Sequence, residues 1–157
     1  MSGLAKETEK APTGESGSLI EALTFCLDGE SYAIETVSVQ EITKIFETTF
    51  VPGTPSFVKG IVPIRGKVMP VFDLHERLGL SPFLKGRNSR FVICQVEEGS
   101  FAFMVDQVLD VVQFIGSQLK RPSPGGFFNE SGYVKGIVGR KGRLFILVDF
   151  EKISRLN

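Results

Sequence analysis

The chain has 157 residues, of which 42 % are hydrophobic, and its 18 lysines and arginines balance its 18 aspartates and glutamates. A formal net charge of zero argues against nucleic acid or an anionic membrane surface as a partner. No apolar run approaches the ~20 residues of a membrane span, and there is no signal peptide. We therefore expect a cytoplasmic protein without direct membrane insertion.

The first fifty residues predict a tail followed by short strands. Residues 1–17 are small and polar, and they lack the apolar surface needed to fold, so we expect a disordered N-terminal tail. Leu19 to Leu27 reads as a strand, Asp28-Gly29 as a hairpin turn, and Ser31 to Ile34 as the returning strand. The stretch from Thr36 to Thr43 fits either a short helix or a third strand with a bend.

A hairpin is the clearest element of the middle of the chain. Before it, residues 45–51 predict a strand and residues 56–60 predict one turn of helix that ends at Gly60. Two apolar runs, 61–64 and 68–72, are then joined by Arg65-Gly66-Lys67, where Gly66 can adopt a positive φ. Pro70 lies in the second run and cannot donate to a ladder, which places that strand at a sheet edge or at a bulge.

The region after the hairpin predicts a short helix and then a second set of strands. Residues 73–79 form the helix, with Asp73 as its cap. Residues 81–90 are polar and are the best candidate for the joint between two lobes. The strands of the second part are expected at residues 91–96, 100–105, 108–114, 134–138 and 143–148, with a helical turn at 149–153.

An internal repeat organises the chain. Residues 57–74 align without a gap on residues 133–150, at a shift of 76 positions, and Lys59, Gly60, Gly66 and Asp73 have identical counterparts. A weaker match at a shift of 69 aligns the preceding strands of the two halves. Each half thus repeats strand, strand, bend and hairpin. Two lobes of about five short strands favour small all-β barrels, which hide their edges by closing.

The sequence contains no pattern of catalytic or metal-binding residues. His75 is the only histidine, and we expect it at the surface or half-buried. Cys26 and Cys94 each fit a small buried hydrophobe rather than a disulfide. We therefore expect no catalytic residue, no metal and no cofactor, and a protein that works through its surfaces rather than as an enzyme.

The hairpin motif identifies a family resemblance. Phe57-Val58-Lys59-Gly60, followed by Arg65-Gly66, Pro70 and Asp73-Leu74, closely resembles the signature of CheW domains, and Val39-Gln40-Glu41-Ile42 resembles the VQEI segment of that family. The resemblance covers about residues 19–153. It implies two SH3-like five-stranded β-barrel lobes that pack on a shared hydrophobic core, with a few short helices. We expect residues 18–157 to form one such domain, with interleaved lobes and a joint near 81–90.

The resemblance also implies a function. CheW proteins are adaptors that couple methyl-accepting chemoreceptors to the histidine kinase CheA, so the expected partners are the regulatory domain of such a kinase and the signalling tip of a receptor. It further implies recruitment to membrane-associated receptor arrays. By motif, Val39, Glu41 and Gly60 fall where partner binding is sensitive in the family, and Arg65 falls on the signature arginine. These four are the expected receptor- and kinase-binding residues. Two alternatives stay open: Arg65 could clamp a partner or tie the hairpin to neighbouring backbone, and Val39 could pack in the core. We expect Gly60 to offer a bare backbone patch to a partner helix.

Some questions stay open at the level of sequence. Pro63 stands where many family members have Asn. The short chain fits a stand-alone adaptor, without receiver or kinase domains. Flagellar chemotaxis and a parallel pathway that controls twitching, gliding or development remain alternatives. From another class of function, a small β-barrel that binds a ligand or nucleic acid is the remaining alternative, disfavoured by the zero net charge.

Overall fold

The computed structural model describes residues 17–97, 99–122 and 132–155. These residues form ten strands, two one-turn α-helices and two 3-10 turns, at Thr36–Ser38 and Gly116–Gln118. The tail predicted at 1–17 lies outside the described residues except for Gly17, and it stays a prediction. The strands and helices are β1 Leu19–Leu27, β2 Glu30–Glu35, β3 Val39–Thr43, β4 Val58–Ile64, β5 Lys67–Phe72, α1 Leu74–Arg77, β6 Arg90–Val96, β7 Gly99–Val105, β8 Gln107–Ile115, β9 Val134–Arg140, β10 Arg143–Val148 and α2 Phe150–Ile153.

The ten strands form two five-stranded sheets, and each sheet draws strands from both sequence repeats. In lobe I the strand order is β8-β1-β2-β10-β9, and in lobe II it is β3-β6-β7-β5-β4. Each lobe therefore combines the first two strands of one repeat with the last three strands of the other. The two repeats pair twice in each lobe: once in parallel, β2 with β10 and β5 with β7, and once antiparallel, β1 with β8 and β3 with β6.

Because strands are exchanged in this way, the predicted joint between the lobes at residues 81–90 is wrong. That segment connects α1 to β6, and the strands on both sides of it belong to lobe II. It separates the two repeats rather than the two lobes. The chain crosses between lobes at the 3-10 turn Thr36–Ser38 and at Asp106, between β7 and β8. A sequence repeat shows where the second copy begins. It does not show which strands of the two copies pair with each other.

Three hydrophobic clusters confirm the predicted two lobes on a shared core. One cluster fills lobe I around Phe114 and Phe145, and another fills lobe II around Phe91 and Met69. The third and largest cluster joins the lobes. Its buried members come from both sheets and from both helices: Leu23, Phe25, Leu27, Tyr32, Ile34, Val58, Phe72, Leu74, Val92, Cys94, Phe101, Phe103, Val105, Val148 and Ile153.

The central strands β2 and β7 are buried on both faces. In β7, Phe101 and Phe103 point into the shared core, while Ala102 points into the core of lobe II. The repeat places Ala33 of β2 at the equivalent position in lobe I. Alternate residues of a strand face opposite sides of the sheet, so each of these strands serves two cores at once.

The structure corrects three local predictions. Residues 56–60 do not form a helical turn: Val58 already begins β4, because its side chain is buried in the shared core. Pro70 is not on an edge strand, since β5 pairs with both β4 and β7. It lies just outside the β7 ladder, which starts at Val71, so its missing N–H costs no bond there. Residues 45–51 form no regular strand, and only Thr49 forms a bridge, to Ile61.

Two side chains of α1 tie distant parts of the fold together. His75 is buried, contrary to the expectation of a surface or half-buried position. Its Nδ1 lies 2.6 Å from the carbonyl oxygen of Ser81 and its Nε2 lies 2.8 Å from Asp106 Oδ1. The guanidinium of Arg77 stacks on the Phe57 ring at 3.7 Å and faces the Tyr133 ring at 4.9 Å. These two rings occupy equivalent positions in the two repeats.

Candidate partner-binding site

The structure brings two of the four predicted site residues into direct contact. Arg65 Nε lies 2.7 Å from Glu41 Oε1 and 3.0 Å from Oε2. Glu41 lies on β3 and Arg65 lies at the turn after β4, and these strands are at opposite edges of the lobe II sheet. The ion pair therefore spans the seam where the sheet curls round on itself.

The hairpin turn decides where the Arg65 side chain can reach. Arg65 has φ +51° and Gly66 has φ +80°, which is the pattern of a two-residue turn with both central residues left-handed. The Arg65 side chain is 76 % exposed, although its Nε is held by Glu41. The hydrogen bond from Arg65 to Glu41 raises the pKa of Arg65, so the guanidinium stays charged. Only Nε is engaged within the described residues, which leaves both terminal amino groups available to a partner.

The same arrangement recurs in lobe I at the equivalent positions. Lys141 has φ +53° and follows β9, and its Nζ lies 3.1 Å from Asp110 Oδ2 on β8. The Thr24 hydroxyl also donates to Asp110 Oδ1 at 2.8 Å. This hydrogen bond is the largest cause of the lowered pKa of Asp110. Each lobe thus has one ion pair across its seam. The two pairs differ in their cation: lobe II has the planar guanidinium of Arg65, and lobe I has the compact ammonium group of Lys141.

Val39 and Gly60 lie on the same two edge strands, but each is packed against other parts of the chain. Val39 is half-buried on β3 and packs against the shared core, which is the packing role that its apolar character allows. Gly60 is buried on β4 with φ +144°, and a Cβ there would lie 2.1 Å from the carbonyl oxygen of Thr49. The expectation of a bare backbone patch is therefore wrong, because the chain's own residues 48 and 49 cover Gly60.

Three exposed apolar residues near these strands were not predicted from the sequence as site residues. Val37, in the turn between the lobes, is 87 % exposed, and Phe50, one residue beyond the Thr49 bridge, is 71 % exposed. Val68 lies on β5, in the second strand of the Arg65 hairpin, and is 65 % exposed. Apolar residues in turns and at hairpin tips were the available signal, since such positions seldom contribute to a core.

These features define a protein-interaction module: two SH3-like barrels on one core, with an exposed guanidinium and isolated apolar side chains at the surface. Within the described ranges no helix is long and apolar enough to cross a membrane. Likewise, the residues that the structure describes contain no group of three or more His, Cys, Asp or Glu side chains that could hold a metal ion.

Comparison with known proteins places the chain in a family. The CheW-like domain family matches residues 21–156, and the chain belongs to this family. It is 31 % identical over 154 residues to the chemotaxis protein CheW of Klebsiella aerogenes, covering 98 % of this chain and 90 % of that protein. The chemotaxis protein CheW of Thermotoga maritima is 29 % identical over 133 residues, covering 85 % and 86 %.

A solved structure agrees with this assignment. The scaffolding protein TtCheW from Thermoanaerobacter tengcongensis superposes with a TM-score of 0.78 at 28 % identity, covering 88 % of this chain and 89 % of that one. The predicted family and the predicted pair of five-stranded lobes on a shared core are both confirmed.

Proposed function

We propose that this chain is a chemotaxis adaptor that couples methyl-accepting chemoreceptors to a CheA-type histidine kinase. Membership of the CheW-like family over residues 21–156 and relatives that are named chemotaxis protein CheW support this proposal. The adaptor acts by binding alone and carries out no reaction. Its place in the cell is the cytoplasmic receptor array at the membrane, where both partners are present.

In this proposal the partners use different surfaces of the two barrels. The helical tip of the receptor lies against the junction of the lobes, where Val39 packs and where the exposed Val37 lies in the first lobe crossing. The regulatory domain of the kinase docks on a barrel end. Two barrels that share one core form a rigid support, so binding on one side can hold a second partner at a fixed position.

The exposed Arg65–Glu41 pair is the observation that carries the proposed site. Glu41 accepts from Nε and fixes the direction of the guanidinium. The two terminal amino groups donate to none of the described residues, and the side chain is 76 % exposed. A planar fork held in this way suits a carboxylate or a pair of carbonyl oxygens on a partner. Gly60 contributes by allowing residues 48 and 49 to close over β4, which positions the loop that carries Phe50.

The test is calorimetric binding to the regulatory domain of the cognate kinase and, separately, to a receptor signalling tip. We expect the wild type to bind both, and Arg65→Ala to weaken at least one of them about ten-fold or more. Lys141→Ala is the matched control, because it removes the equivalent ion pair of lobe I. We expect that variant to bind as the wild type does.

Three outcomes would contradict the proposal. A folded wild type that binds neither partner would remove the adaptor function. Equal losses in Arg65→Ala and Lys141→Ala would show that the ion pairs act through the fold rather than at the interface. Normal binding by Arg65→Ala would exclude Arg65 from the contact. The receptors that bind would also separate flagellar chemotaxis from twitching, gliding or development.

A further inference from the structure

A groove of about 730 Å³ lies on lobe II beside the end of α2, and none of the four candidate site residues lines it. Its apolar floor includes Phe72, Val96 and Phe101. Its rim carries Glu97 from the β6–β7 turn and Glu151 and Arg155 from the region of α2. We call this feature the α2 groove. Its volume lies within the roughly 300–1,000 Å³ that is usual for binding pockets.

The repeat shows what fills the equivalent space in lobe I. Shifts of 76 and 69 positions relate the floor to Val148, Leu27 and Tyr32, and α2 to α1. In lobe I the chain continues past α1, and Leu78 and Leu80 pack against the shared core that contains those three residues. The groove on lobe II is therefore the counterpart of a site that the protein itself occupies on lobe I with an extended segment.

Hydrogen bonds hold that segment in lobe I. The backbone N–H of Leu80 donates to the carbonyl oxygen of His75 at 2.7 Å, and the N–H of Ser81 donates to Asp28 Oδ2 at 3.3 Å. His75 Nδ1 in turn donates to the carbonyl oxygen of Ser81 at 2.6 Å. Residues 78–81 thus bind through aliphatic side chains and through their own backbone.

Within the part of the chain that the structure describes, the corresponding groups in lobe II have no such partner. Glu97 is the counterpart of Asp28, and Glu151 is the counterpart of His75. Both carboxylates are exposed, and neither is hydrogen-bonded or ion-paired to any of the described residues. With Arg155 as the one cation of the lining, the rim carries an excess of negative charge. An occupant with backbone N–H donors and a basic side chain complements it.

We propose that the α2 groove docks an extended segment of a partner protein, one that presents leucine-sized side chains flanked by Lys or Arg. The aliphatic side chains cover Phe72 and Phe101, as Leu78 and Leu80 cover the core in lobe I. The backbone of the segment donates to Glu97, and its basic flank pairs with Glu151. This surface is additional to the receptor and kinase surfaces of the proposed function and does not depend on them.

The experiment uses the full chain, labelled with ¹⁵N, and a capped hexapeptide Lys-Leu-Gly-Leu-Ser-Lys that reproduces the lobe I segment with basic ends. We expect amide shift changes confined to the groove, at residues 72, 96, 97, 99–101 and 150–155. The affinity expected of a short unanchored peptide is about 0.1–1 mM. A control peptide with serine in place of both leucines should bind at least ten-fold more weakly.

Charge variants supply the matched control. Glu97→Lys with Glu151→Lys should weaken binding about ten-fold, because two exposed attractions become repulsions. Glu30→Lys with Glu47→Lys makes the same change in net charge at exposed positions outside the groove and should leave binding unchanged. Circular dichroism verifies that both variants are folded.

The proposal is overturned by any of three results. Shift changes that are absent at millimolar peptide, or that fall outside the groove, would exclude docking there. Equal binding by the two charge variants would exclude the rim carboxylates. A protein that ends at residue 155 and binds the peptide more than ten-fold tighter would show that the chain's own residues 156 and 157 compete for the groove, in place of a partner.

Discussion

Substitution of Gly60 tests whether the site depends on a close contact within the chain. In Gly60→Ala the new Cβ would meet the carbonyl oxygen of Thr49 at 2.1 Å and Thr48 Cγ2 at 2.7 Å. The loop must move, and the two Thr49–Ile61 backbone hydrogen bonds, both 2.9 Å, are lost or stretched. We expect this substitution to destabilise the fold rather than to leave it intact.

The magnitude follows from two contributions. Each backbone hydrogen bond contributes about 0.5–1.5 kcal/mol net. The backbone at φ +144° adds strain of about 1–3 kcal/mol for a residue with a side chain. The sum is about 2–6 kcal/mol, a large part of the 5–15 kcal/mol that is usual for a domain. Urea unfolding followed by circular dichroism measures it.

Gly66→Ala is the matched control for backbone strain. Gly66 has φ +80°, but an added Cβ would find no atom within 4 Å, so only the cost of the left-handed conformation applies, about 1–2 kcal/mol. Gly60→Ala should unfold at a clearly lower urea concentration than this control. Equal midpoints for the two variants would refute the argument that the covering loop makes Gly60 necessary.

Two further predictions concern stability. Arg77→Met should lower the free energy of unfolding by about 2–4 kcal/mol in urea, because Arg77 stacks on Phe57 and donates to the carbonyl oxygens of Ile153 and Lys152; a change below about 0.5 kcal/mol would contradict it. Asp110 has a lowered pKa, so its contribution is present above the ordinary carboxyl pKa of ~3.9 and is lost as the pH falls through the lowered value. Thr24→Val removes the first cause of that shift and should make unfolding free energy less dependent on pH below ~4; an unchanged pH profile would exclude the Thr24–Asp110 bond as the cause.

The sequence predicted the local elements that short-range chemistry controls. Arg65-Gly66 specifies a tight turn because glycine tolerates a positive φ, and Asp73 caps α1 because its carboxylate accepts the N–H of Glu76 at 3.2 Å. The gap-free repeat and the CheW-like motif predicted the family and the two lobes. The four site residues were chosen by motif, and their role in binding stays a prediction.

The tertiary structure alone decided which distant residues meet. The pairing of Arg65 with Glu41 depends on closure of the lobe II sheet, and the cover over Gly60 depends on the path of residues 44–57. The burial of His75 likewise depends on Asp106, which is 31 residues away in sequence. Hairpins and caps follow from a few neighbouring residues, whereas these contacts depend on which repeat each strand pairs with. Burial of apolar side chains in the shared core decides that pairing, because the exchanged strands of both repeats contribute to this core.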